Sequence, residues 1–308
     1  MKVFTSIPDY PFENKSIVTI GTFDGVHLGH RVILKRMKEI AKKTKGKSVL
    51  LTFSPHPRHV LHKDNQDMKL ITTLQEKQDL INQAGLDNLV IHEFTKKFSR
   101  IKPVNFVRDI LVEQLNVHTL VIGYDHHFGR NREGSIQELT TLADLYDFNI
   151  EKIDPQYFED VTVSSSKIRK LIEKGEMVKA KQYLGYEFML NGKVIKGNSL
   201  GKTINFPTAN IVVENKWKIL PADGVYAVKI VLEAKEYKGM MNIGQKPTVD
   251  GNGISLEVNI FDFNQDIYGK GIEIRFVKRI RDERKFENLL GLKKQLLIDR
   301  NKARKILG

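Results

Sequence analysis

The chain has 308 residues, of which 41% are hydrophobic and 28% charged, with 50 Lys and Arg against 37 Asp and Glu for a formal net charge of +13. A chain of this length accommodates two domains with cores of their own, and no apolar run approaches the length of a membrane span. The sequence contains no cysteine, which excludes disulfides and cysteine-bound metals, and its first residues lack the apolar core of a signal peptide, so we expect a cytoplasmic protein.

In the first half of the chain, apolar strand-like runs alternate with amphipathic helical patterns. Strands are predicted at residues 17–20, 48–53, 88–92, 119–122 and 149–153, and helices at 29–43, 73–83, 104–115 and 136–146. Such alternation indicates right-handed βαβ units, which build a parallel sheet with helices on both faces. Two short helices, at 166–174 and 177–184, are predicted to complete this half.

The pattern changes near Gly185, where short strands separated by Gly, Pro and Asn replace the alternation. These strands are predicted at 188–195, 208–213, 224–232, 237–243, 255–261 and 271–279. Their even spacing indicates a small antiparallel barrel, and residues 286–307 are predicted to form a helix packed against it. We therefore expect an α/β domain over residues 1–184 and a β-barrel domain over residues 185–308.

The most informative motif is GTFDGVHLGH, residues 21–30, where the first predicted strand passes into the first predicted helix. Gly25 and Gly29 allow the backbone to approach a ligand, and His27 and His30 add side-chain donors. A helix N-terminus attracts phosphate through its free N–H groups and its dipole. A pair of histidines alone is a weak signal, but the order of strand, glycine turn, His-x-Gly-His and helix predicts a polyphosphate substrate.

Two further segments are predicted at the same edge of the sheet, because ligands of parallel sheets bind beyond the carboxyl ends of the strands. They are Ser-Pro-His-Pro at 54–57 and Gly-Tyr-Asp at 123–125.

In the second half, residues 197–203 read GNSLGKT and are similar to a P-loop. The run is one residue short of the Walker pattern, and Pro207 follows where a P-loop requires a helix. We reject the Walker assignment and retain a glycine- and lysine-bearing flap over a nucleotide.

Oxygen-bearing side chains recur at alternate positions of two predicted strands. Thr208 and Asn210 would share one strand face and offer the hard oxygen ligands that suit Mg²⁺, although local turn hydrogen bonds are the commoner use of such residues. Glu257 shares its strand face with Ser255 and Asn259. That strand face either is exposed to solvent or points toward a binding site.

Over nearly its whole length the chain resembles the family of bacterial bifunctional riboflavin kinase/FMN adenylyltransferases, also called FAD synthetases. The resemblance is carried by a series of segments in the family's order: GTFDGVHLGH (21–30), FSPHPRHV (53–60), IGYDHHFGRNREG (122–134), VSSSKIRKLI (163–172), GKTINFPTANI (201–211), DGVYAV (223–228), NIGQKPT (242–248) and LEVNIFDFNQDIYGK (256–270).

The resemblance implies a fold and two reactions. The N-terminal domain would be a Rossmann-like nucleotidyltransferase of the HxGH type, and the C-terminal domain a riboflavin-kinase-type barrel with a C-terminal helix. The barrel would transfer the γ-phosphate of ATP to the ribityl 5′-hydroxyl of riboflavin and form FMN. The N-terminal domain would join AMP from a second ATP to FMN and release FAD and pyrophosphate. Mg²⁺ is the implied metal, and the implied partners are ATP, riboflavin and FMN, with no nucleic acid or membrane.

The resemblance also implies roles for residues of the first domain. His27 and His30 would donate to phosphate oxygens, the serine run 164–166 would hold the triphosphate, and Arg169 would offset charge on pyrophosphate. The implied nucleotide and flavin contacts are Gly21, Phe23, Asp24, Gly25, His56, Asp125, Ser164, Ser165 and Ser166.

In the second domain, the resemblance implies that Thr208 and Asn210 contact Mg²⁺ and phosphate, and that Glu257 accepts the hydroxyl proton. Gly197, Gly201 and Lys202 would belong to the nucleotide flap. Arg281 and the region around Phe286 would border the flavin.

A few positions depart from the family's pattern. Asn205 stands where the family has Gly, Ser166 where Thr is common, and His126 and His127 replace a Phe-Arg-like pair after Asp125. None of these changes removes a residue with an implied catalytic role.

Three other functions are weighed. A relative with only one of the two activities is disfavoured, because both sets of implied catalytic residues are present. A basic, flavin-responsive RNA-binding regulator is supported by net charge alone; the lysines are scattered over predicted helix faces and no RNA-binding motif is found. A class I aminoacyl-tRNA synthetase is disfavoured because the sequence has no Lys-Met-Ser-Lys-Ser-like loop and its second domain is a short barrel.

Overall fold

The computed structural model describes residues 1–12, 15–61, 68–123, 136–153, 163–197, 206–248 and 251–308. For residues 246–248 and 251–252 it describes the backbone only. The chain divides into two compact units, Met1–Ser165 and Ser166–Gly308. The first contains a parallel sheet and the second a barrel, so the predicted fold class is confirmed.

The sheet of the first unit has six parallel strands, which are β1 (Lys2–Phe4), β2 (Ser16–Ile20), β3 (Lys47–Ser54), β4 (Asn88–Glu93), β5 (Val117–Ile122) and β6 (Asn149–Lys152). Their order across the sheet is β1-β4-β3-β2-β5-β6. The sequence did not predict β1, which pairs with β4 and places Val3 opposite Leu89.

The helices of this unit are α1 (Leu28–Thr44), α2 (Pro57–Leu61), α3 (Leu74–Gln83), α4 (Pro103–Asn105) and α5 (Ile136–Leu145), with a 3₁₀ turn at Phe98–Arg100. The helix predicted at 104–115 is mostly a π-helix, Phe106–Val112, that continues α4. Its bonds span five residues, as from Leu115 N to Ile110 O. Four of its residues are buried against the sheet in the main core, so the apolar spacing indicated a helix without distinguishing its type.

The order of the strands places the end of β2 where the sheet changes direction. The chain leaves β2 at its carboxyl end, with β3 and β4 on one side of it and β5 and β6 on the other. A crevice opens in parallel sheets where the strand order reverses in this way, beyond the carboxyl ends of the strands. Residues 21–30 begin at this point.

Two helices precede the barrel in the second unit: α6 (Ser165–Glu173), whose first residue still belongs to the first unit, and α7 (Met177–Leu184). Apart from Ser165, both helices belong to the same compact unit as the barrel, and Ala222 N donates a hydrogen bond to Ile172 O at 3.4 Å. The boundary expected between residues 184 and 185 stays a prediction.

The barrel is closed, antiparallel and built from β7 (Met189–Ile195), β8 (Ala209–Val212), β9 (Gly224–Leu232), β10 (Lys235–Thr248), β11 (Gly251–Ile260) and β12 (Gly271–Arg281). The strands β10 and β11 are longer than predicted because they form one continuous hairpin. The last helix, α8 (Leu289–Leu307), contacts β9, β10 and β12. It begins three residues later than predicted, where the Asn288 side chain accepts a bond from Gly291 N at 2.9 Å and caps it.

Between α8 and the barrel lies a small apolar core of Phe206, Ala227, Met240, Phe261 and Ala303. The Arg300 guanidinium lies 5.2 Å from the centre of the Phe206 ring. Among the described residues, no helix is both long and apolar enough to cross a membrane.

Candidate active sites

The segment 21–27, which we call the glycine turn, is a compact reversal between β2 and α1. Phe23, Gly25 and Val26 all have positive φ, at 47°, 85° and 36°. The positive φ favours glycine at position 25, and a Cβ atom there would also lie 3.0 Å from Ile71 Cγ2, so that Ile71 would have to shift. The turn therefore packs directly on the segment that leads into α3.

Asp24 ties the glycine turn to that segment. Asp24 is 2% exposed, and its carboxylate accepts bonds from Ile71 N at 3.0 Å, Thr72 N at 3.1 Å and Thr72 Oγ1 at 3.3 Å. Gly25 N donates to the same Thr72 hydroxyl at 3.1 Å. This geometry gives Asp24 a structural task, and its implied ligand contact stays a prediction.

The two histidines of the motif are stacked at the N-terminus of α1. The ring centroids of His27 and His30 lie 3.6 Å apart at an interplanar angle of 15°, and Phe23 stacks at 4.5 Å from the ring of His30. His27 is the N-cap residue, and its Nδ1 accepts a bond from His30 N at 3.3 Å. Because Nδ1 accepts this bond, His27 in its neutral form carries its ring proton on Nε2.

His30 is held in its neutral form. Burial is the largest cause that lowers its pKa well below the ordinary value, and the charges of His27 and Lys77 lower it further. Among the described residues, the buried His30 Nδ1 has no hydrogen-bond partner. A neutral imidazole donates from one nitrogen and accepts at the other, so the ring offers a single N–H donor.

Sequence reasoning missed Lys77, which the structure places behind the glycine turn on α3. Its side chain is buried, and burial lowers its pKa to about 8 against the opposing effect of Asp24. Its Nζ donates to Thr52 Oγ1 at 3.5 Å. The available signal was its spacing, because Lys77 stands three and four residues before Leu80 and Ile81 on the apolar face of the helix.

The serine run lies at the start of α6. Ser165 is the first residue of the helix, and its hydroxyl donates to Asp24 O at 3.0 Å, which links it to the glycine turn. Ser164 and Ser166 are exposed. Arg169 is one turn further along α6 and belongs to the second unit.

The other implied contacts of the first unit lie near strand ends. Gly21 follows β2 and donates its N–H to Leu51 O at 3.1 Å. His56 follows β3, is half-buried, and accepts a bond from Arg58 N at 3.2 Å through Nδ1. Asp125, His126 and His127 lie outside the described residues.

In the barrel, Glu257 is the centre of a group that we call the Glu257 cluster, formed with Thr208, Asn210 and Ser255. The hydroxyls of Thr208 and Ser255 donate to its two carboxylate oxygens, at 3.3 Å and 2.9 Å. Asn210 of β8 is the register partner of Glu257 in β11. The half-buried carboxylate is thus oriented from both sides rather than lying bare in solvent.

Neighbouring groups fix the approach to this cluster. Asn259 Nδ2 donates to Pro207 O at 2.7 Å, which anchors the segment before β8. A Cβ atom at Gly197 would lie 2.0 Å from Asn210 Nδ2, so any larger residue would require the Asn210 side chain to move. The remainder of the predicted flap, including Gly201, Lys202 and Asn205, lies outside the described residues.

Arg281 takes part in an ion pair with α8. Its Nε and one terminal nitrogen each lie 2.9 Å from Asp299 Oδ2, and Asp299 is fully buried. The guanidinium also lies 5.7 Å from the centre of the Phe286 ring. The structure therefore gives Arg281 a task in holding α8, and its implied place beside the flavin stays a prediction.

Comparison with known families identifies two transferase domains in this order. Residues 10–167 match the family model of FAD synthetase, and residues 184–307 match that of riboflavin kinase. The chain is thus a two-domain transferase, with a nucleotidyltransferase domain followed by a kinase domain.

Similar proteins cover nearly the whole chain. A bifunctional riboflavin kinase/FMN adenylyltransferase of Bacillus subtilis is 38% identical over 94% of this chain and 92% of its own length. The protein of the same description from Escherichia coli K12 is 35% identical over 95% and 93%. A solved structure described as a macrolide-efflux protein from Streptococcus pneumoniae is 31% identical over 98% of both chains, with a TM-score of 0.90. The chain belongs to the family of bifunctional riboflavin kinase/FMN adenylyltransferases, which confirms the resemblance drawn from its motifs.

Proposed function

We propose that each domain of this chain carries one reaction of flavin cofactor synthesis, at the sites described above. The barrel phosphorylates riboflavin to FMN around Glu257, and the N-terminal domain adenylylates FMN to FAD around His27 and His30. The observation that carries the proposal is that each unit holds one oriented group suited to its reaction: stacked histidines at a helix N-terminus, and a carboxylate fixed by two hydroxyls.

For adenylyl transfer, a phosphate oxygen of FMN attacks the α-phosphorus of ATP, and the bond from that phosphorus to the bridging oxygen of the β-phosphate breaks. Pyrophosphate leaves with the electron pair, so the protein supplies no covalent nucleophile. Catalysis then consists of alignment and of stabilising charge on the phosphate oxygens. The Nε2–H of His27, the ring of His30 and the N-terminus of α1 are the proposed donors.

The remaining residues of this site take supporting roles in the proposal. The N-terminus of α6, with Ser164, Ser165 and Ser166, holds the triphosphate, and Arg169 one turn later offsets the charge of pyrophosphate. The rest shape the nucleotide and flavin pockets: Gly21, Phe23, Asp24, Gly25, His56 and Asp125.

For phosphoryl transfer, Glu257 accepts the proton of the riboflavin 5′-hydroxyl as its oxygen attacks the γ-phosphorus, and ADP leaves. The hydroxyls of Thr208 and Ser255 hold both carboxylate oxygens in place before the substrate arrives. Gly197, Gly201 and Lys202 are proposed as the nucleotide flap, and Arg281 as a border of the flavin.

The donor set of the barrel fits Mg²⁺. The described residues contain no group of three or more His, Cys, Asp or Glu that would hold a metal by protein ligands alone. The Thr208 hydroxyl and the Asn210 amide oxygen are hard donors of the kind that bind Mg²⁺ together with substrate phosphates. When bound, the ion would offset the negative charge of the phosphates.

The proposal extends to partners and location. ATP, riboflavin and FMN are the proposed partners. We place the protein in the cytoplasm, because its sequence without cysteine is suited to a reducing compartment and both reactions consume ATP.

A flavin turnover assay tests the proposal. The protein is incubated with riboflavin, ATP and Mg²⁺, and the flavins are separated by chromatography. Both FMN and FAD are expected, and chelation of the metal should stop phosphorylation. FMN without FAD would contradict the adenylylation site, and unchanged riboflavin would contradict the kinase site.

A further inference from the structure

A lysine is buried directly behind the glycine turn. Lys77 lies on α3 and is 7% exposed, on the same helix face as the buried Leu80 and Ile81. An ammonium group removed from water is unfavourable unless neighbouring charges or hydrogen bonds offset the loss of hydration. Its position therefore requires a compensating contact.

The contacts of Lys77 lead to the glycine turn. Its Nζ donates to Thr52 Oγ1 at 3.5 Å, and that hydroxyl donates to Thr22 O at 3.3 Å. The charge of Asp24 opposes the effect of burial on Lys77, and the charge of Lys77 acts on His30. The ammonium thus bonds to β3, and through the Thr52 hydroxyl it is linked to the backbone of the glycine turn at Thr22.

The same stretch of chain also fixes the backbone of the turn. Ile71 and Thr72, which lead into α3, bind the Asp24 carboxylate. Thr73 and Glu76 form a reciprocal capping box that fixes the first turn of the helix. Lys77 is the next residue, so its position relative to the turn is set by a rigid segment.

We propose that Lys77 is a positioning residue for adenylyl transfer: it supports the glycine turn through Thr52, and its charge acts on Asp24 and His30. This inference rests on the proposed function of the histidine site. Lys77 is not proposed to touch the substrate. It places a positive charge beneath a turn that receives a polyphosphate, and it opposes protonation of His30, so that the ring keeps one donor and one acceptor nitrogen.

The first test replaces Lys77 by methionine, which keeps the length and loses the charge. With FMN and ATP as substrates, kcat for FAD formation should fall at least about tenfold, while FMN formation from riboflavin stays within about twofold. The matched control is Lys35→Met, which removes an exposed lysine of α1 and should leave both rates unchanged. Equal FAD rates for Lys77→Met and the wild type would overturn the proposal.

A second readout separates positioning from a purely structural role. In Lys77→Met, NMR titration of the imidazole should show that the His30 pKa rises toward its ordinary value, because one of the charges that lower it has gone. Lys77→Arg keeps the charge and should retain the lowered His30 pKa. An unchanged His30 titration in Lys77→Met would overturn the proposal even if FAD formation fell.

If Lys77→Met does not fold, the wild-type pH profile decides. The groups that face Lys77 are Asp24, His30 and the Thr52 hydroxyl. Since the pKa of Lys77 is about 8, kcat/KM for FAD formation should decline as the pH rises through that value. A profile that stays flat well above this value would overturn the proposal.

The failure of this inference is distinguishable from failure of the proposed function. A wild-type protein that forms no FAD contradicts the proposed function itself. A wild type that forms FAD, loses it in His30→Ala and keeps it in Lys77→Met contradicts only the role of Lys77.

Discussion

The histidine site and the Glu257 cluster are built in opposite ways. His27 and His30 come from one short segment and are stacked at a helix N-terminus. The turn before them is held by Asp24, which accepts a hydrogen bond from Ile71 N of the segment before α3. The Glu257 cluster joins two strands of the barrel, with Thr208 and Glu257 separated by 49 positions in the chain. The first site depends on local backbone geometry, and the second depends on strand register.

This difference decides how each site fails. A change in the glycine turn alters the segment that places His27 and His30 at the N-terminus of α1. A change in the register of β8 and β11 would separate Thr208 and Asn210 from Glu257. Variants that affect one kind of support should therefore spare the other reaction.

The largest expected effect is that of Glu257→Gln. The amide keeps the shape of the side chain but cannot accept the hydroxyl proton, so FMN formation should fall about 10²–10⁴-fold. FAD formation from supplied FMN should continue. Chromatography of the flavins measures both rates. Glu273→Gln is the control, because Glu273 is a half-buried carboxylate on β12 that pairs with Arg275 instead. Loss of both activities in Glu257→Gln would contradict the assignment of the two reactions to separate sites.

His30→Ala is expected to have the complementary effect, slightly smaller in size. Loss of one donor to the developing charge should lower FAD formation about 10²–10³-fold and leave FMN formation intact. His118→Ala is the control, since His118 lies at the amino end of β5 and its Nδ1 is 2.9 Å from Thr119 Oγ1. If His30→Ala and His118→Ala lost FAD formation equally, the stacked histidines at the start of α1 would have no special role.

Asp299→Ala tests the support of the barrel by α8. Removal of the buried carboxylate leaves the Arg281 guanidinium without its ion pair, and we expect a loss of about 3 kcal/mol in the free energy of unfolding. The comparison variant is Asp262→Ala, which breaks the pair of the 78% exposed Asp262 with Arg304 of the same helix and should cost below about 1 kcal/mol.

Urea unfolding followed by tryptophan fluorescence measures both losses. The only tryptophan of the chain is Trp217, which lies in the second unit and reports on it directly. Similar shifts for the two variants would contradict the assignment of a buried, structural pair.

The smallest expected effect is the loss of folding stability at acidic pH. The folded-state pKa of His30 lies well below its ordinary value of 6.5, so below that pH the unfolded chain binds more protons than the folded one. The free energy of unfolding should therefore fall as the pH drops below 6.5, by at most about 1.4 kcal/mol per pH unit from this group. Far-ultraviolet circular dichroism during urea unfolding measures the trend. His30→Gln should show a weaker dependence than the wild type, and equal slopes would contradict the burial of a neutral ring.

Much of the fold was predictable because its elements carry their own periodicity. The strands β2 to β6 and the helix α1 were predicted within a few residues, as was the closed barrel. β1 was missed because three residues are too few to show an alternation, and its pairing with β4 comes from the rest of the sheet. The π-helix was missed because its apolar face has nearly the spacing of an α-helix over seven residues.

The two candidate sites were predictable to different degrees, because one is a contiguous motif and the other joins distant parts of the chain. The histidine motif is contiguous, so the sequence displayed its strand, turn and helix in order. The contact of Thr208 with Glu257 needed the pairing of β8 with β11, which alternation within one strand does not provide. Lys77 was hidden because its burial depends on how α3 packs behind the glycine turn.

The edges of the sheet bear on how the chain behaves at high concentration. Its two outer strands are also its shortest, with three residues in β1 and four in β6, whereas the barrel closes on itself. Long open edges recruit strands from other molecules and seed fibrils. Loss of β1 would leave β4, with its consecutive apolar residues Leu89, Val90 and Ile91, as the outer strand, so the pairing of β1 covers an edge that other strands could otherwise join.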